Sequence, residues 1–331
     1  MAHIQEQKFA ELGLQKVTSN KGIVSYYRSL NKASDDKPIL ALLHGYPQSA
    51  YIWRFVIPLL QDKPIFVPDL PGYGNSAPTD QHDKVSVGLR VIEALREAFD
   101  NGGDTAVRYP PIVLIGHDRG ARVADALHVS IGKADVMGFH IIGLALLDIV
   151  PGLYQWQIGD NAAAQTGYFH WSFLANVSIA KPMIVAYGGG NWAEAMINRW
   201  AGSNAEGLER LKSGDALTVY RSFFDRESVI EASCRDYEAG ATVDLDAQTK
   251  AIDNDQRITA PLLFVYSADF LQKRAKKPIE SVWDQPFSDG SALITPIPIG
   301  NGIGHFLPEE APELTAKALL KWLPSLKTQA R

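Results

Sequence analysis

The chain of 331 residues is 46% hydrophobic and 21% charged, an ordinary balance for a folded protein with a large core. Its net charge of -5 offers no basic face to nucleic acid or an anionic membrane, although local arginines can still recruit a small anion. Cys234 is the single cysteine, which excludes an intrachain disulfide and a metal–thiolate cluster, and no run of eighteen apolar residues occurs.

The opening MAHIQEQKFAELGLQK lacks the apolar stretch of a secretory leader, so a soluble cytoplasmic protein is expected. KFAELGLQKV (Lys8 to Val17) and GIVSYYRSL (Gly22 to Leu30) read as an antiparallel pair leading into the fold. Buried strands are predicted at Pro38 to His44, Pro64 to Leu70, Pro111 to Gly116, Ile141 to Asp148, Pro261 to Ser267 and Ala292 to Pro298. Unbroken apolar runs of this kind suit a parallel sheet covered on both faces. Helical spacing separates them at Lys84 to Phe99, Ala121 to Ile131 and Pro312 to Leu323. The alternation predicts a doubly wound, mostly parallel α/β sheet.

Between about Val150 and Ala260 the alternation stops, and aromatics and helix formers take over. This predicts a core domain of residues 1–151 and 256–331, with a helical cap at 152–255 over the carboxyl ends of the strands. GGG at Gly188 to Gly190 reads as a loop, with nothing around it to cradle a phosphate.

Chemistry concentrates at the strand ends. GHDRGAR, Gly116 to Arg122, has the strand–turn–helix form of a nucleophile elbow, with Asp118 at its centre. An Asp N-cap alone would not require Gly116 and Gly120 on either side, which permit a tight turn and close helix packing. HGYPQS, His44 to Ser49, follows an earlier strand and predicts an oxyanion hole from the backbone N–H groups of Tyr46 and Arg119. His305, in a Gly-rich loop after the last strand, stands where nucleophile–acid–His chain order puts the base. Two residues are candidates for the acid that orients it, Asp148 and Asp269, and Asp148 is favoured because it ends a strand just ahead of Pro151.

A carboxylate nucleophile suits displacement at a saturated carbon, giving an alkyl ester on the enzyme that a His-activated water hydrolyses. Carbon–halogen hydrolysis and epoxide opening both fit. The leaving halide needs N–H and O–H donors, and the epoxide oxygen needs acidic ones. The insert offers His170 and Trp171, whose indole N–H can donate but not accept. Arg119, expected at the pocket mouth, and Arg122, one turn on, are a pair able to grip a substrate carboxylate.

With these residues assembled, the sequence resembles the fluoroacetate (haloacetate) dehalogenases of the α/β-hydrolase superfamily. The resemblance is carried by LLHGYPQS, DLPGYGNS, GHDRGAR, LLDIVP, FHW, DYEAG and GHFLPEEAPE, of which Asp-Arg-x-x-Arg is the most specific. It implies Asp118 as nucleophile, His305 as base, Asp148 as its acid partner, and Arg119 and Arg122 on the substrate carboxylate. It further implies His170, Trp171 and Tyr237 around the halide, no cofactor or metal, and a homodimer. The chain departs from the family pattern in the long segment before Asp148, in YSADFLQKRAKK and in the middle of the cap. The expected reaction converts a short 2-haloalkanoate to the 2-hydroxy acid with water as co-substrate. The alternatives are an epoxide hydrolase using His170 and Tyr237 as ring-opening acids, and a non-catalytic binder of small carboxylates.

Overall fold

A computed structural model describes residues 2–101, 109–160, 162–288 and 294–326. Its centre is an eight-stranded sheet: β1 (Gln15–Thr18), β2 (Val24–Arg28), β3 (Ile39–Leu43), β4 (Ile65–Pro68), β5 (Ile112–His117), β6 (Ile141–Leu147), β7 (Leu262–Ser267) and β8 (Ile294–Ile299). The spatial order is β1-β2-β4-β3-β5-β6-β7-β8. Strands β3 to β8 run parallel, and only β2 opposes its neighbours.

Strand pleating explains why the apolar runs are unbroken. Successive side chains point to opposite faces, and both faces are covered. Ile39, Ala41 and Leu43 pack into one apolar layer and Leu40 and Leu42 into the other, with the same division along β5 and β7. The helix Lys84–Asp100 starts where the Asp83 carboxylate caps the Ser86 N–H at 2.9 Å, and buries Val87, Val91, Ile92, Leu95 and Phe99 at helical spacing.

Two local expectations hold only in part. The first half of KFAELGLQKV belongs to the helix Ala2–Glu11, and only Gln15–Thr18 pairs with β2. Gly13, at φ 76°, lets the chain reverse between them. The second is GGG: Gly188 is non-helical, but Gly189 and Gly190 open the helix Gly189–Trp200, where a Cβ on Gly189 would overlap the Phe224 carbonyl of a neighbouring helix.

From Gly152 to Asp253 every regular element among the described residues is a helix. Trp171, Tyr220, Phe223, Phe224 and Tyr237 of this stretch join the same buried layer as Ala41, Leu114 and Phe264 of the sheet, so the stretch has no separate core. Arg54 ties it down a second way. Its guanidinium pairs with Glu309, which also accepts from Tyr220 Oη at 2.7 Å. The same guanidinium donates to the carbonyls of Arg210, Leu211 and Ser213 at 3.2–3.3 Å, serving the C-terminus of the helix Ala205–Lys212. No helix among the described residues is long and apolar enough to cross a membrane.

Candidate active site

Because β3 to β8 run parallel, the residues that follow them emerge at one edge of the sheet. Asp118 follows β5, Asp148 follows β6, and His305 lies in the loop after β8. Asp118 sits at φ 47° and ψ -115°, a conformation that costs a non-glycine residue about 1–3 kcal/mol. The surroundings enforce it by close approach. A Cβ on Gly120 would come within 2.5 Å of the carbonyl oxygens of Leu43 and His44, and one on Gly116 would overlap the Ala121 backbone. The flanking glycines thus let the helix Arg119–Ile131 press against β3.

Three predicted residues converge here. His305 Nδ1 meets Asp148 Oδ2 at 2.6 Å, and its Nε2 lies 3.9 Å from Asp118 Oδ1. Asp148 is fixed in turn by the Ser267 N–H, which donates to Oδ1 at 2.7 Å. Asp269, the other acid candidate, is bonded to the Gly302 N–H and to Lys273 instead. The loop carrying His305 is anchored by Glu310, which accepts the N–H groups of Gly304 and Phe306 at 2.8 and 3.0 Å.

The Tyr46 N–H donates to Asp118 Oδ2 at 2.9 Å. Arg119 is the first residue of its helix, so its N–H has no acceptor within the helix. Burial alone would raise the Asp118 pKa, but the charges of His305 and Arg119, with the Tyr46 N–H, outweigh it and hold the carboxyl below its usual value. Burial likewise opposes protonation of His305. The hydrogen bond and charge of Asp148 prevail, and its pKa is raised above 6.5. An ionised carboxylate next to a buried, oriented imidazole can attack an electrophilic carbon and then direct a water at the resulting ester.

The cavity in front of Asp118 has a volume of about 30 Å³ and is lined by Arg122, His170, Trp171 and Tyr237 as well as Asp148 and His305. A space of this size takes only a few heavy atoms. Burial pushes His170 down to about 3, so its imidazole is neutral at pH 7. Its ring centroid is 4.4 Å from that of Trp200 and 5.7 Å from that of Tyr237, while the Trp171 and Tyr237 rings meet edge-on at 5.8 Å.

The two arginines diverge. Arg119 does not line this cavity. Its Nε and Nη2 donate to the Asp236 carboxylate at 2.7 and 3.0 Å, and its guanidinium lies over the Tyr237 ring, 4.2 Å from the centroid. It is drawn from the pocket mouth because Asp236 neutralises it inside the protein. Arg122 does line the cavity, donates from Nη1 to the Val150 carbonyl at 3.1 Å, and lies over the Trp171 ring at 4.6 Å. Among the described residues no carboxylate comes within ion-pair distance of it, and its buried Nε has no hydrogen-bond partner.

Asp236, which holds Arg119, is a residue of this region that sequence reasoning missed. It also pairs with Lys84 and accepts from Tyr73 Oη at 3.0 Å, and it stands immediately before Tyr237 in the DYEAG motif. Gln155, Trp200 and Phe270 also line the cavity, and no motif announced them. Among the described residues no cluster of His, Cys, Asp and Glu is arranged to hold a metal ion.

The alpha/beta hydrolase family profile matches residues 40–318, and the chain belongs to that family. It is 26% identical over 294 residues to a fluoroacetate dehalogenase of Burkholderia sp, covering 88% of each chain. It is 27% identical over 329 residues to a soluble epoxide hydrolase of Corynebacterium sp. (strain C12), covering 94% of this chain and 99% of that one. Among solved structures, an alpha/beta hydrolase from Nostoc sp PCC 7120 superposes with a TM-score of 0.76 at 27% identity, over 95% of this chain and 99% of that chain.

Proposed function

We propose that this alpha/beta hydrolase removes halide hydrolytically from short 2-haloalkanoates of the haloacetate type. The observation that carries the reading is Arg122: a buried guanidinium without a carboxylate partner, facing the same small cavity as Asp118. A buried cation of this kind is costly unless an anion meets it, and a substrate with its own carboxylate provides one. The few-atom volume favours an acetate-sized skeleton.

In the proposed reaction, Asp118 Oδ1 attacks the halogen-bearing carbon. The carbon–halogen bond breaks, the halide leaves with the electron pair, and the carbon is inverted. His170, Trp171 and Tyr237 receive the halide from the far side. His305 Nε2, 3.9 Å from the carboxylate, takes the proton of a water placed beside the pair and drives the hydroxyl onto the Asp118 carbonyl carbon. The oxyanion forms on Oδ2, against the N–H groups of Tyr46 and Arg119. Collapse breaks the bond between the Asp118 carbonyl carbon and the ester oxygen. The leaving alkoxide takes the proton from His305 Nε2 to give the 2-hydroxy acid, and Asp118 loses its own proton to solvent and is restored as the carboxylate. Arg119 holds Tyr237 by stacking, and its charge keeps Asp118 ionised.

One observation favours a second reading. His170 and Tyr237 both face Asp118, as ring-opening donors for an epoxide would. Halide release from fluoroacetate and chloroacetate, assayed beside diol formation from a styrene-oxide-type epoxide, separates the two. Product from the epoxide alone refutes the dehalogenase reading, and product from neither leaves the small-carboxylate binder.

A further inference from the structure

Behind Arg122 and Trp171 lies a second cavity, of about 280 Å³ against about 30 Å³ for the one at Asp118. It opens between the helices Arg119–Ile131 and Val243–Asp253, and Arg122 and Trp171 line both spaces. Val85, Val129, Leu245, Ile252 and Phe287 give it apolar walls. Its other cations are in ion pairs, although the buried Nη1 of Arg119 has no hydrogen-bond partner among the described residues. Lys84 is held by Asp236 and Asp244, and Arg119 by Asp236. Asp125, also on its wall, forms no ion pair with Arg122, and burial pushes its pKa up to about 7. A chamber with apolar walls and one guanidinium outside any ion pair fits a ligand with an aliphatic body and a single anionic head.

We propose that this cavity binds aliphatic monocarboxylates of about five to eight carbons, with the carboxylate on Arg122 and the chain along the apolar walls. The size follows from comparison with cavities of about 150 Å³, which take benzene; 280 Å³ admits on the order of ten heavy atoms. Such a ligand occupies the guanidinium assigned above to the substrate, so it inhibits haloacetate turnover competitively; this consequence, unlike the binding itself, rests on the proposed function.

The test is calorimetric titration of the full chain with hexanoate, which carries no halogen and cannot react. The native protein is expected to bind one equivalent. Ala126→Phe and Leu245→Trp, which fill the chamber from its two helices, are expected to weaken hexanoate at least tenfold while leaving acetate affinity and melting temperature unchanged. Arg122→Ala is expected to lose hexanoate binding. No binding to the native protein overturns the proposal, as does equal affinity in both filled variants or hexanoate seated elsewhere in a soaked crystal. Should a filled variant unfold, the soaked crystal of the native protein decides. If hexanoate binds as expected and no haloacetate is turned over, the dehalogenase reading fails and the cavity assignment stands.

Discussion

Replacing Asp236 with Asn isolates what holds the cationic side of the site together. The carboxylate accepts from Arg119 Nε and Nη2, pairs with Lys84 and accepts from Tyr73 Oη, all in a buried setting. Neutralising it leaves two buried cations facing an amide that has one acceptor oxygen. Breaking one partner of a buried pair costs about 3–5 kcal/mol. With about 2.1 cal/mol/K of unfolding entropy per residue over 331 residues, that loss lowers the melting temperature by about 4–7 °C. Differential scanning fluorimetry of the native protein and Asp236→Asn at pH 7 measures it. The sign of the pH dependence adds a second check. Burial opposes the Asp236 charge, but Arg119 and Lys84 hold its carboxyl well below the usual range. The contribution is therefore complete above the unfolded value of about 3.9 and is lost as pH falls below it, so the gap between the two proteins narrows in acid. A melting temperature within 1 °C of native at pH 7, or a gap that widens in acid, refutes the account.

Four further outcomes follow from the geometry. His305→Asn should accumulate an alkyl ester on the Asp118 peptide after exposure to haloacetate, and mass spectrometry finding the peptide unmodified would count against the two-step route. Arg122→Ala should raise KM for haloacetate by about 10- to 150-fold, the equivalent of about 1.5–3 kcal/mol for a charge-assisted hydrogen bond; an unchanged KM removes Arg122 from the substrate. Gly120→Ala should fail to fold or melt well below the native protein, since its Cβ would lie 2.5 Å from two carbonyl oxygens, and a native melting curve would contradict that packing. Because the His305 pKa is raised and the base must be neutral, kcat should climb on a limb centred above pH 6.5, and a limb centred below it would mean that Asp148 does not govern the imidazole.

The parallel strands were legible because each is a short apolar run bounded by turn residues, a pattern that one sheet buried on both faces imposes locally. The elbow was legible because close backbone approach admits only Gly116 and Gly120. The lead-in helix was not: Ala2–Glu11 is mostly polar, and Phe9 is its one large apolar residue wholly buried in the core, too little for a periodic signal. The choice between Asp148 and Asp269 needed the third dimension, since both follow strands and only the fold turns one toward His305. The same holds for Arg119. A basic residue beside a nucleophile suggests a substrate contact, and its carboxylate partner, Asp236, is 117 residues away.

The Arg54 contacts bear on how freely the helical stretch could be exchanged for another. A transplanted substitute would have to end a helix so that three carbonyls meet a guanidinium rooted in the core, and supply a hydroxyl to Glu309 as Tyr220 does. Glu309 belongs to the turn that follows His305, so a graft without those groups would leave a buried ion pair half satisfied beside the proposed base. The cavity walls are therefore better altered by point substitutions than by wholesale exchange of the helical stretch.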